Sequence, residues 1–126
     1  VDRDAMESVF HFLKQNGMTA YLNPNKDFVY NNIDLSLEAY IVKPLVSESP
    51  LTEVDAVKTP RLEKILVDVL CDEDMDYLHG NEWNRLFDNA NSMYTTNRTM
   101  MLRYASRRNA KAKIENAIEN LGKNYD

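Results

Sequence analysis

The residues able to do chemistry are few and badly spaced for it. His11, His79 and a single cysteine, Cys71, cannot assemble a zinc site of ordinary composition, and no spacing among them suggests ligation. Asp72, Asp74 and Asp76 alternate as the first ligands of a calcium loop do. Such a loop also needs a glycine sixth and a glutamate twelfth, and counting from Asp72 those places hold Tyr77 and Trp83. The acidic run therefore reads as a solvated turn. With Gly17, Gly80 and Gly122 as the only glycines, a glycine-rich phosphate loop is excluded. No serine sits in a Gly-x-Ser-x-Gly elbow. The Gly-Ser turn of nucleotidyltransferases and the acid-x-Lys spacing of restriction-type nucleases are both missing. An enzymatic alternative, a divergent nuclease-like or nucleotide-handling domain, would have to draw on Glu63 and Asp68 with Asp55. Glu63 and Asp68 are five apart, so one helix would point them in different directions. Cys71 follows an apolar run and reads as a small buried hydrophobe before a reactive thiol.

One positive signal is a basic segment. Arg98, Arg103, Arg107, Arg108, Lys111 and Lys113 fall in a stretch with no acid between them. On a helix Arg103 and Arg107 share a face, and Lys111 joins them if the helix continues. Guanidinium groups grip phosphates and carboxylates through a planar fork of donors. The six residues form a candidate nucleic-acid or partner contact. The alternative is a solvated helix face paired with the acidic turn Asp72 to Asp76. Charge is distributed accordingly. Residues 1–95 carry 17 acidic and 8 basic side chains, a balance of −9, and residues 96–126 carry 3 and 7, a balance of +4, giving −5 in all. Such asymmetry marks an interaction end, although the net acidity disfavours nucleic-acid binding by this domain alone.

Composition bounds the class. A chain of 126 residues is one domain in size and long enough for a core. Its 44% hydrophobic and 28% charged content is that of a folded protein rather than a disordered one. A lone cysteine rules out an internal disulfide and favours a reducing, cytoplasmic setting. No apolar run approaches the roughly 20 residues of a membrane span, and no signal peptide opens the chain. Residues 1–126 read as a single domain, and with no Met at position 1 that domain could be the C-terminal one of a longer chain.

The elements that must position these residues follow from periodicity. Asp4 to Asn16 reads as a helix through Met6, Val9, Phe10 and Leu13, stopped at Gly17. Met18–Leu22 is a short strand ending in the turn Asn23-Pro-Asn-Lys26. Asp27 to Ile33 fits a helix or a strand. Leu37 to Val46 is the best strand, weakened at Pro44, which cannot donate to a ladder. Ser47 to Glu53 reads as a loop and Val54 to Lys58 as a further short strand. A helix then starts with Thr59 as cap, Pro60 in the first position and Glu63 in the first turn; Leu62, Ile65, Leu66, Val69 and Leu70 follow, with Val67 on another side, so it is apolar over much of its circumference and reads as the central helix. Another begins at Gly80-Asn81 with the stripe Trp83, Leu86, Phe87, Ala90 and Met93 or Tyr94. Thr95-Thr96-Asn97 caps a third through Met100, Met101, Tyr104 and Ala105, which breaks at Arg108-Asn109. Ile114, Ala117, Ile118 and Leu121 make a last stripe, ended by Gly122. The pattern predicts α+β: a small sheet of three or four strands packed with about four to five helices, the C-terminal half helical.

The most distinctive stretch is Tyr40-Ile-Val-Lys-Pro-Leu-Val46 followed by the helix start TPRLEKILVDVL, Thr59 to Leu70. With YLNPNKD upstream (Tyr21 to Asp27) and MLRYASRR downstream (Met101 to Arg108), it resembles the C-terminal domain of AbiEi-like antitoxins. Those are the regulators of type IV toxin–antitoxin pairs in bacterial abortive infection. The likeness runs loosely over residues 18–121 and extends to related uncharacterised bacterial proteins. It implies a non-enzymatic regulator without cofactor, one that represses its own operon and counters a nucleotidyltransferase toxin. Family members carry a winged-helix DNA-binding domain ahead of this one. Here only the helix Asp4 to Asn16 precedes Tyr21, so direct operator binding is not implied by the resemblance.

Overall fold

The computed structural model describes residues 1–34, 37–72, 75 and 81–124. His79, Gly80 and most of the acidic turn, including Asp74 and Asp76, lie outside the described residues. The class is α+β, with the C-terminal part helical. Contacts group the chain into two compact units, residues 1–45 and 46–126.

In the first unit, a 3-10 turn (Arg3–Ala5) leads into α1 (Met6–Gln15). Gly17 adopts φ +77° and ends α1 in a Schellman motif. There the Met18 and Gly17 amides donate to the Leu13 and Lys14 carbonyls at 3.0 and 3.1 Å. Strand β1 (Ala20–Leu22) and strand β2 (Tyr40–Val42) pair in parallel, Tyr21 opposite Ile41. A parallel pair needs a crossover, and α2 (Lys26–Asn32) lies within it, so the ambiguous segment after the turn is helix. Asn25 caps α2, its Oδ1 accepting the Phe28 amide at 2.8 Å. Strand β2 is only the centre of the expected ten-residue strand and stops two residues short of Pro44.

In the second unit, β3 (Leu51–Val54) and β4 (Val57–Pro60) form an antiparallel hairpin, with Val54 opposite Val57. Asp55 and Ala56 turn it with φ of 52° and 64°, the paired left-handed values of a type I′ turn. Among the described residues four helices follow: α3 (Leu62–Cys71), α4 (Asn81–Met93), α5 (Arg98–Arg107) and α6 (Lys111–Asn124). The expected start of α3 shifts. Thr59 and Pro60 pair with Thr52 and Leu51 in the hairpin, and Arg61 takes the cap position without a side-chain bond. Strand pairing has outcompeted a good local capping signal. Among the described residues the four strands accordingly stand as two separate pairs rather than one sheet, each strand pairing with its neighbour in sequence: β1 with β2 through the crossover that holds α2, and β3 with β4 through a two-residue turn.

The core of this unit joins all four helices. Leu66 and Val67 of α3, Trp83 and Phe87 of α4, Met101, Tyr104 and Ala105 of α5, and Ile114 of α6 are buried together. The Trp83 ring stacks on Phe87 at 5.2 Å, and its indole N–H donates to the Leu66 carbonyl at 2.9 Å. The α4 stripe ends at Ala90, since Met93 and Tyr94 are exposed. The α6 backbone continues past Gly122 to Asn124. No helix among the described residues is long and apolar enough to cross a membrane.

Candidate functional site

The basic segment is positioned by α5, and α5 is fixed at both ends. At its start, Asn97 Oδ1 accepts the Met100 amide at 3.0 Å. The Asn97 amide in turn donates to Glu63 Oε1 of α3 at 3.0 Å. This is a capping box whose acid comes from another helix rather than from three residues on. Glu63 is 3% exposed, with Arg61 Nε 3.6 Å from its other oxygen. At the far end, Arg108 is the C-cap and Asn109 turns the chain at φ 56°. The Ala110 and Asn109 amides close a second Schellman motif on Ala105 and Ser106 at 2.8 and 3.1 Å. The break expected at Arg108-Asn109 is therefore a reversal. Lys111 opens α6 and does not continue the Arg103–Arg107 face.

A polar cluster braces α5 against α3. Asp68 receives Lys64 Nζ on Oδ2 at 2.6 Å, and Tyr104 OH and Arg108 Nη1 on Oδ1 at 2.5 and 2.6 Å. Arg108 Nη2 reaches Asp72 Oδ1 at 2.6 Å. Lys64 Nζ also donates to Tyr104 OH at 3.0 Å and lies over its ring. Burial opposes the charges on Arg108 and Lys64, yet both groups hold their protons more tightly than usual. For Arg108 the partners are Asp72, Tyr104 and Asp68; for Lys64 they are Asp68 and Tyr104. Among the described residues no buried side-chain nitrogen or oxygen is left without a hydrogen-bond partner. Burial pushes the neighbouring Cys71 thiol above its ordinary 9.0 despite the charges of Arg108 and Lys113, so at neutral pH it is a protonated packing group.

The six basic side chains thus divide. Arg108 is half-buried and spent on Asp68 and Asp72. Arg107 is exposed, its Nε donating to Glu48 Oε2 at 2.5 Å. That bond, with the charges of Arg107 and Arg103 behind it, holds the Glu48 carboxyl below its usual range. Lys111 lies 3.9 Å from Glu115 one turn along α6. Arg98, Arg103 and Lys113 are exposed, and no ion pair among the described residues involves them. Arg98 also borders an open groove of about 710 Å3, where Tyr94 and Arg61 stand beside the α4–α5 loop.

The chain belongs to a family of unknown function, DUF6577. The family model matches residues 1–124, and so spans both compact units. Comparison with curated proteins and with solved structures gave no match.

Two of the three carboxylates of the enzymatic alternative are engaged elsewhere. Glu63 holds the α5 N-terminus, Asp68 holds Lys64, Tyr104 and Arg108, and Asp55 sits in the hairpin turn. No group of three or more His, Cys, Asp or Glu among the described residues could hold a metal ion. Sequence reasoning passed over the Lys64–Asp68–Tyr104–Arg108 cluster. Its signal was present as two helical i,i+4 pairs, Lys64 with Asp68 and Tyr104 with Arg108. Nothing in one dimension says that the two pairs face each other.

Proposed function

We propose that this is a non-enzymatic, antitoxin-like or transcription-regulator-associated domain that acts by binding in the bacterial cytoplasm. Its contact surface is the Arg103–Arg107 face of α5, with Arg98 at the helix start and Lys111 and Lys113 at the start of α6. The carrying observation is that Arg98, Arg103 and Arg107 stand exposed on a helix whose inner side chains, Met101, Tyr104 and Ala105, are fully buried. A charged surface on so rigid a support loses little freedom on binding. The polar residues of TPRLEKILVDVL favour the same reading, because Glu63, Lys64 and Asp68 are occupied in bracing α5. The likeness to AbiEi-like antitoxins adds the expected protein partner, a nucleotidyltransferase toxin.

The phosphate backbone of DNA is the partner we assign to the arginines. Fluorescence anisotropy with duplex DNA across a salt series tests it. Binding is expected at low salt, weakening as salt rises, with the log–log slope reduced by about 1 for each phosphate contact removed in Arg103→Ala and Arg107→Ala. Absence of binding at low salt, or affinity indifferent to both substitutions, overturns the assignment.

A further inference from the structure

Arg103 and Arg107 lie one turn apart on α5, and the loop before β3 delivers the Glu48 carboxylate to Arg107 from far away in sequence, close enough to feel the charge of Arg103 as well. Glu48 occupies φ +61°, a conformation that side chains other than glycine rarely adopt. The loop is held on both sides of it. Ser49 Oγ donates to the Val46 carbonyl at 2.5 Å, and Pro50 is buried with its carbonyl taking the Arg61 amide at 2.9 Å. The Glu48 and Arg107 side chains are nevertheless 44% and 52% exposed, open to solvent and to any competing anion.

We infer that Arg103 and Arg107 form a receptor for one anionic group, and that Glu48 is its resident competitor. The inference rests on the reading above, in which the incoming group is a backbone phosphate. A guanidinium fork accepts carboxylate and phosphate by the same geometry, and a phosphate carries more charge and more acceptor oxygens. An exposed ion pair is weak, so Glu48 can be displaced, at a cost that lowers affinity modestly. Among the described residues no carboxylate pairs with Arg98 or Lys113.

The test is the same anisotropy measurement on the full chain with five proteins: wild type, Glu48→Gln, Glu53→Gln, the Arg103→Ala/Arg107→Ala double variant, and that double variant combined with Glu48→Gln. Glu53→Gln removes an equal charge from a β3 residue that pairs with neither arginine. Glu48→Gln is expected to tighten DNA binding about two- to fivefold at low salt. Glu53→Gln should do distinctly less, and the Glu48→Gln gain should vanish once both arginines are gone. A gain equal to that of Glu53→Gln, or one that survives loss of the arginines, overturns the competitor role while leaving the phosphate reading intact. If neither wild type nor Glu48→Gln binds, the phosphate reading fails and the receptor fails with it.

Discussion

Residues 1–45 and residues 46–126 use the same local devices and reach different interiors. Each unit has a two-stranded sheet, a helix capped by an asparagine side chain, and a Schellman reversal. Among the described residues of the first unit the buried apolar ones are Ala20, Val29, Ile33 and Val42. Helix α1 buries none of its residues, and Phe12, Phe28 and Tyr30 face outward. The second unit encloses Trp83, Tyr104, Leu66, Met101, Ile114 and Val67 completely. Caps and turns decide where elements begin and end; buried area decides how firmly they are held. The basic surface lies on the firmly held side of this contrast.

Deleting the same side chain from both units should sharpen the contrast most. Phe87→Ala is expected to cost about 3–5 kcal/mol, and Phe12→Ala no more than about 0.5 kcal/mol. Urea unfolding followed by fluorescence reads the first directly, since Trp83 is the sole tryptophan. Amide exchange in α1 reads the second. Comparable costs at the two positions would break the comparison by showing that Phe12 is covered.

Asp68→Ala comes next. It strips Lys64, Tyr104 and Arg108 of their shared acceptor. Losing one partner of a fully buried ion pair costs about 3–5 kcal/mol; these groups keep some exposure, so about 2–3 kcal/mol is expected. A midpoint in the Trp83 transition unchanged from wild type would mean the brace carries no stability.

A smaller loss than that of Phe87 or Asp68 tests what the units share. Asn25→Ala and Asn97→Ala each remove one N-cap and should each cost about 1 kcal/mol. Exchange rates of the α2 and α5 amides report them separately. A much larger loss for Asn97→Ala would show that the Glu63 bond to its amide depends on the cap.

Most of the helices were legible because their signals are local. The α1 stop at Gly17, the Asn97 cap, the Asn109 break and the apolar stripes through Leu66, Phe87, Met101 and Ile114 are written at helical spacing. The strands were read less well. The Ser47–Glu53 stretch reads as loop, yet its last residues form β3, because the hairpin turn uses Asp-Ala in place of the glycine-containing pair that would have announced it. Thr59 and Pro60 carry a sound helix-start signal and are strand for the same reason: a pairing partner outside the window.

The sequence by itself determined that the helical C-terminal half carries six basic residues and no acid between Arg98 and Lys113, and that zinc, calcium-loop and phosphate-loop chemistries lack their ligands. Only the tertiary structure decided which of those six are surface. Arg107 and Arg108 are chain neighbours of identical chemistry. One meets Glu48 in solvent, and the other is folded between Asp68 and Asp72. Adjacent residues on a helix point about 100° apart, and what waits in each direction is set by segments some forty to sixty residues away.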